Sequence, residues 1–134
     1  MNENFYLWVY RNLTRARSVP VYHAVAPANG EFPRIVYTVV SATPADDGLS
    51  EPGGMSILLQ IDVYARTMDD LFEAQRGIYE EFDITDGEIV ISEDLTLASS
   101  ELSNISDSVE YGDPDKAGEE LIFRRTFEFY LHTN

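Results

Sequence analysis

The chain has 134 residues and a mass of 15.2 kDa, the length of one domain that buries a substantial core (1–134). Hydrophobic residues make up 44%, which argues against disorder, while nine basic residues against 24 acids leave a net charge of −15. That balance disfavours a general nucleic-acid binder and an anionic-membrane binder. The lack of cysteine removes disulfide frameworks, thiol catalysis and cysteine-type zinc sites.

In chain order, Phe5, Trp8, Val9, Leu13 and Ala16 recur at spacings of three and four, predicting a helix over 4–16. Arg11, Arg15 and Arg17 gather at its C-terminal end, where cations suit the helix dipole. Residues 19–25 read as an edge strand, since Pro20 cannot donate to a central ladder. Ala28-Asn29-Gly30 marks a turn, and the β-branched run 34–41 a strand. Residues 42–54 carry the Gly, Pro, Ser and Asp signals of a long polar loop.

The alternation over 55–66 is the clearest signal. Ile57, Leu59, Ile61, Val63 and Ala65 face one way; Leu58, Gln60, Asp62, Tyr64 and Arg66 face the other. Thr67, with Asp70 three residues on, predicts a capping box for a helix striped by Leu71, Ala74, Ile78 and Phe82. A turn at Asp86-Gly87 precedes a short strand over 88–92. Ile105, Val109 and Tyr111 then begin a hairpin with its tip over 112–118 and its second arm over 120–132. In that arm Leu121, Phe123, Phe127, Phe129 and Leu131 share a face with Arg125, which needs an acidic partner in the chain, a route to water or a partner across a subunit interface. The order α-β-β-β-α-β-β-β predicts an α+β domain: a mostly antiparallel sheet with two main helices on one face.

No catalytic or cofactor constellation emerges, and the expectation is a protein that is not an enzyme, with no cofactor and no metal. Most carboxylates lie in polar stretches that keep them ionised, and Asp62 alone sits among apolar residues, so a carboxylate-dependent hydrolase is a distant alternative. Asp113, Asp115 and Gly118 imitate the start of a calcium loop, but Ala117 and Arg124 occupy positions that need oxygen ligands. His23 and His132 are too few for a multi-histidine metal site and lack a Gly-x-Ser-x-Gly elbow, so both are expected to be structural. The N-terminal segment is acidic and lacks the apolar run of a signal peptide, and no run approaches the roughly 20 residues that span a bilayer; a soluble, unexported protein is expected. Phe5, Tyr6, Trp8 and Tyr10 encircle the first helix, so some meet solvent or another chain.

Position refines the charge. Residues 1–66 hold five arginines and six acids, a net of −1; residues 67–134 hold four basic residues and 18 acids, a net of −14. An excess of this kind reads either as a solvated acidic face or as a surface that repels polyanions.

The succession of a short helix, Val-Tyr-His-Ala-Val (21–25), Phe-Pro-Arg-Ile-Val-Tyr-Thr-Val-Val-Ser (32–41), Leu-Gln-Ile-Asp-Val-Tyr-Ala-Arg-Thr (59–67) and an amphipathic helix resembles the tail-terminator, or tail-completion, proteins of long-tailed bacteriophages. The resemblance is densest over 19–82. It implies a structural virion protein, made in the host cytoplasm, that forms a homo-oligomeric ring, typically a hexamer, at the head-proximal end of the tail. Such a ring caps the tail tube, ends its polymerisation, joins the neck or head-completion protein and lets double-stranded DNA pass without specific binding. A neck or head-closure ring of the same particle is the alternative. Under this reading Glu93, Asp94, Asp113 and Asp115 are expected to line a DNA-repelling lumen. Trp8, Arg11, Arg15, Arg17, Arg66 and Arg125 are expected at the subunit interface, and the arginines of the first half (11, 15, 17, 34 and 66) are expected to bond acids of neighbouring subunits in a heterologous, ring-closing contact.

Overall fold

The computed structural model describes residues 3–27, 31–44, 54–84, 88–93, 95–111 and 121–133. Helix α1 (Glu3–Ala16) leads into strands β1 (Val21–His23), β2 (Arg34–Pro44) and β3 (Met55–Ala65). Helix α2 (Met68–Phe82) is followed by β4 (Ile89–Ser92), β5 (Leu95–Tyr111) and β6 (Leu121–Thr133). The strands form one curled sheet in the order β1-β2-β3-β6-β5-β4, antiparallel throughout except for the parallel β1–β2 pair. This is the expected α+β architecture.

The core follows from the alternation on β3. Ile57, Leu59, Ile61, Val63 and Ala65 stand directly opposite Leu131, Phe129, Phe127, Arg125 and Phe123 of β6, so both rows lie on one face. Ile35 and Tyr37 of β2 extend that face. The helices cover it with Phe5, Val9 and Leu13 from α1 and Leu71, Ala74, Ile78 and Phe82 from α2, all buried. Complete burial of one such large side chain contributes about 2–3 kcal/mol.

The helices run antiparallel. Arg17, just past α1, pairs with Asp70 and Glu73 near the start of α2, Arg15 pairs with Glu81 near its end, and the Trp8 ring meets Phe82 edge-on. Gly77 lies against Ala16 and lets the two backbones approach closely.

The structure amends several expectations. β1 is shorter than residues 19–25, with Pro20 just before it at the edge of the sheet. β2 runs to Pro44, three residues past the expected end, and bulges between Val39 and Ser41. The capping box forms only half: Thr67 accepts a hydrogen bond from the Asp70 amide, while the Asp70 carboxylate turns to Arg17. β5 is the largest departure, since it starts at Leu95 rather than near Ile105. Leu95 and Leu97 are buried, and Ser100 is held through its hydroxyl on the Phe82 carbonyl and a bridge to Ile84. Two bulges break the alternation over this stretch, which is why periodicity did not reveal it. The expected turns at 28–30 and 86–87, the hairpin tip and most of the 42–54 loop lie outside the described residues. Among those described, no helix is long and apolar enough to cross a membrane.

Candidate interaction surface

Alternation sends Gln60, Asp62 and Tyr64 to the sheet face away from the helices, opposite Glu128, Thr126 and Arg124 of β6. Asp62 is only 3% exposed, and an isolated buried carboxylate would be costly. Three donors satisfy it: Gln60 Nε2 at 2.8 Å, Arg124 Nε at 3.0 Å and the Thr126 hydroxyl. The carboxylate in apolar surroundings is thus the acceptor of a closed network. Arg124 also approaches Glu110 at 3.7 Å, and its pKa is raised chiefly by the hydrogen bond to Asp62.

From this network a series of rings and guanidinium groups extends across the sheet. Arg124 lies 5.5 Å from the Tyr64 ring centroid, and Arg34 lies 5.6 Å from Tyr64 and 4.5 Å from Phe32. Arg66 stands 4.9 Å from the same Phe32 ring. The sequence Arg66–Phe32–Arg34–Tyr64–Arg124 thus alternates cation and π-face. Burial of Tyr64 within it is the main cause of a phenol pKa above 10.0. Arg34 donates to the Pro27 carbonyl at 2.7 Å, yet its Nε is buried with no hydrogen-bond partner among the described residues.

On the helix-covered face Arg125 forms a bidentate pair with Asp107, at 2.7 and 2.9 Å, donates to Gln75 at 2.7 Å and lies over the Phe72 ring. The hydrogen bond from Arg125 is the main reason that the Asp107 carboxyl pKa is lowered. Arg125 therefore finds its acidic partner within the chain. Beside it a groove of about 210 Å³ opens between α2 and the β5–β6 hairpin, lined in part by Met68, Leu71, Val109 and Phe123.

The residues expected at a subunit interface divide into two groups. Trp8 is half-buried on Phe5 and Phe82, and Arg15, Arg17 and Arg125 have carboxylate partners in the chain. Arg11 and Arg66 are exposed and have no carboxylate partner among the described residues. Arg11 shares a groove of about 300 Å³ between α1 and β4 with Leu7 and Val90. Glu93 is exposed just after β4; Asp94, Asp113 and Asp115 lie outside the described residues. Of the stack's members, Arg34 and Arg66 are among the arginines expected to bond acids of neighbouring subunits, whereas Phe32, Tyr64 and Arg124 are not expected from sequence as part of a site. The period-two pattern places Asp62, Tyr64 and Arg66 on one face, but which strands flank β3 was not legible in it.

The remaining candidate chemistry is structural in character. His23 stacks on Tyr37, with ring centroids 5.0 Å apart, and contacts Tyr6, while His132 Nδ1 lies 3.1 Å from the Ser56 hydroxyl. No group of three or more His, Cys, Asp or Glu able to hold a metal occurs among the described residues.

No protein-family model matches the sequence, and no curated protein matches it. Among solved structures, the chain is similar to one from the "Virion of native gene transfer agent (GTA) particle". The TM-score is 0.57, the alignment covers 94% of this chain and 92% of that one, and 15% of residues are identical. At that identity the likeness is one of fold.

Proposed function

We propose that the protein is a structural component of a phage-like virion and, within that class, a tail terminator: a ring that caps the tail tube and joins it to the neck. The observation that carries this reading is the fold likeness to a chain of a gene transfer agent virion, which extends over nearly the whole length of both chains. The element order that resembles tail-completion proteins supports the narrower assignment. Asp62, His23 and His132 each have a partner in the fold that accords with a structural role.

The charge fits the same task. Duplex DNA carries one charge per about 1.7 Å of axis, and basic walls would bind it by counterion release. Under this proposal Glu93, Asp94, Asp113 and Asp115 line the channel and let DNA pass without local traps. The ring is a hexamer whose neighbours are the tail-tube protein and the neck protein.

The test is imaging of particles carrying the labelled protein. A label at the head-proximal end of isolated tails supports the terminator assignment, and a label found only on filled heads reassigns the chain to a neck ring. Absence from every particle overturns the virion reading. Replacing the four acids by lysine should leave tails capped but slow DNA ejection; normal ejection would remove these residues from the lumen.

A further inference from the structure

We infer that copies of this chain meet head to tail, the acid-tipped C-terminal end of α2 in one copy docking on the guanidinium–ring stack of the next. This inference rests on the ring reading above and specifies which surfaces form the contact. Two separate features of the molecule lead to it.

The first is the stack. Arg34 and Arg66 both lie over Phe32, and neither has a carboxylate partner among the described residues, although acids outnumber basic residues 24 to nine in this chain. Rings hold the guanidinium planes in place, which reduces the entropy lost when they bind a carboxylate. The Arg34 Nε is a buried donor without an acceptor among the described residues. The stack is thus a prepared anion-binding surface on an otherwise acidic protein.

The second is α2. Its last turn has no basic residue, and Glu80, Glu81 and Asp83 gather where the helix dipole is already negative. Arg15 answers Glu81 alone. Glu80 and Asp83 are exposed and form no ion pair among the described residues, and Arg76, one turn before Glu80, makes no bridge to it. A cation supplied from outside would relieve this repulsion.

The two features cannot meet within one copy. Arg66 precedes the first residue of α2, and its 15 residues separate the ends by about 22 Å. A contact between them must therefore join copies, and where each copy offers its stack to one neighbour and its helix end to another it is heterologous, the type that closes into a ring or extends as a filament. Duplex DNA, the other anion available to the stack, would be repelled by the surrounding net charge of −15.

The experiment uses the purified full chain in sedimentation and native mass measurements. One variant reverses the stack (Arg34→Glu with Arg66→Glu), and the other reverses the helix end (Glu80→Arg with Asp83→Arg). Each alone should require at least about tenfold higher concentration to associate than the unaltered chain. An equimolar mixture should associate again, since each reversed patch then meets its opposite. Association of the unaltered chain should also weaken with added salt. Should the first variant fail to fold by circular dichroism, Arg66→Glu alone replaces it, because Arg66 is exposed.

Association of either reversed variant at the concentration of the unaltered chain overturns the inference and leaves the virion proposal standing. An unaltered chain that stays monomeric at every concentration also overturns it, while the particle imaging decides the virion proposal separately. Tight binding of duplex DNA that Arg66→Glu abolishes would assign the stack to nucleic acid and overturn it as well.

Discussion

Replacing Gly77 by alanine sets two effects of opposite sign against each other. Helix propensity alone favours the change by about 1 kcal/mol, because glycine loses the most backbone freedom in a helix. Packing opposes it. A Cβ at Gly77 would lie 2.8 Å from the Ala16 carbonyl carbon and 2.9 Å from its Cα, and nearer still to the carbonyl oxygen. Ordinary contact begins near 3.4 Å, and backbone atoms cannot rotate aside as a side chain does. The helices must therefore part by roughly 1 Å, a gap that forfeits a quarter to a half of the dispersion attraction across it. Phe5, Val9 and Leu13, fully buried on α1, would pack less tightly as a group. Overpacking of this kind costs about 3 kcal/mol, at the upper end of its usual range. The net expectation is a destabilisation of about 2 kcal/mol, lowering Tm by roughly 6–8 °C for a chain of this size. Thermal and urea melts followed by circular dichroism measure it. An unchanged or raised Tm would mean that α1 and α2 do not cross this closely at Gly77.

Two further substitutions probe the polar clusters. Asp62→Ala leaves Arg124 Nε and the Thr126 hydroxyl without their acceptor and should cost about 3 kcal/mol in a urea titration; a loss below about 1 kcal/mol would show that the network is not closed. Asp107 has a carboxyl pKa held below its ordinary 3.8 by Arg125, so its contribution to stability is fully present above that value and fades as pH falls through the lower folded value. The stability difference between the unaltered chain and Asp107→Asn should accordingly shrink toward zero on acidification; a difference that stays constant from about pH 6 to pH 2 refutes the pairing.

The arginines show how far local reading reaches. Alternation put Arg125 in an apolar row, and burial of a guanidinium demands a partner, so a partner was foreseeable from sequence. Its identity was not: Asp107 lies 18 residues away on β5, brought opposite by a register that two bulges shift. Arg15 and Arg17 read as cations at a helix end, and only the antiparallel packing of α2 against α1 turned them toward Glu81, Asp70 and Glu73. That packing gives Arg15 and Arg17 carboxylate partners within the chain, while Arg15 stays exposed, as Arg11 and Arg66 are. Tyr64 and Asp62 were assigned to one face correctly, yet the stack through Phe32, Arg34 and Arg124 required knowing that β2 and β6 flank β3.

The acid excess, its concentration after residue 66, the two helical stripes and the alternation on β3 are properties of composition and of neighbours a few residues apart, and the sequence by itself determined them. Strand order, the length of β5, and which arginines are spent inside the fold depend on contacts between residues tens of positions apart. A period of two or 3.6 identifies the face a residue occupies. It carries no information about which distant segment will cover that face, and only the tertiary structure decided that.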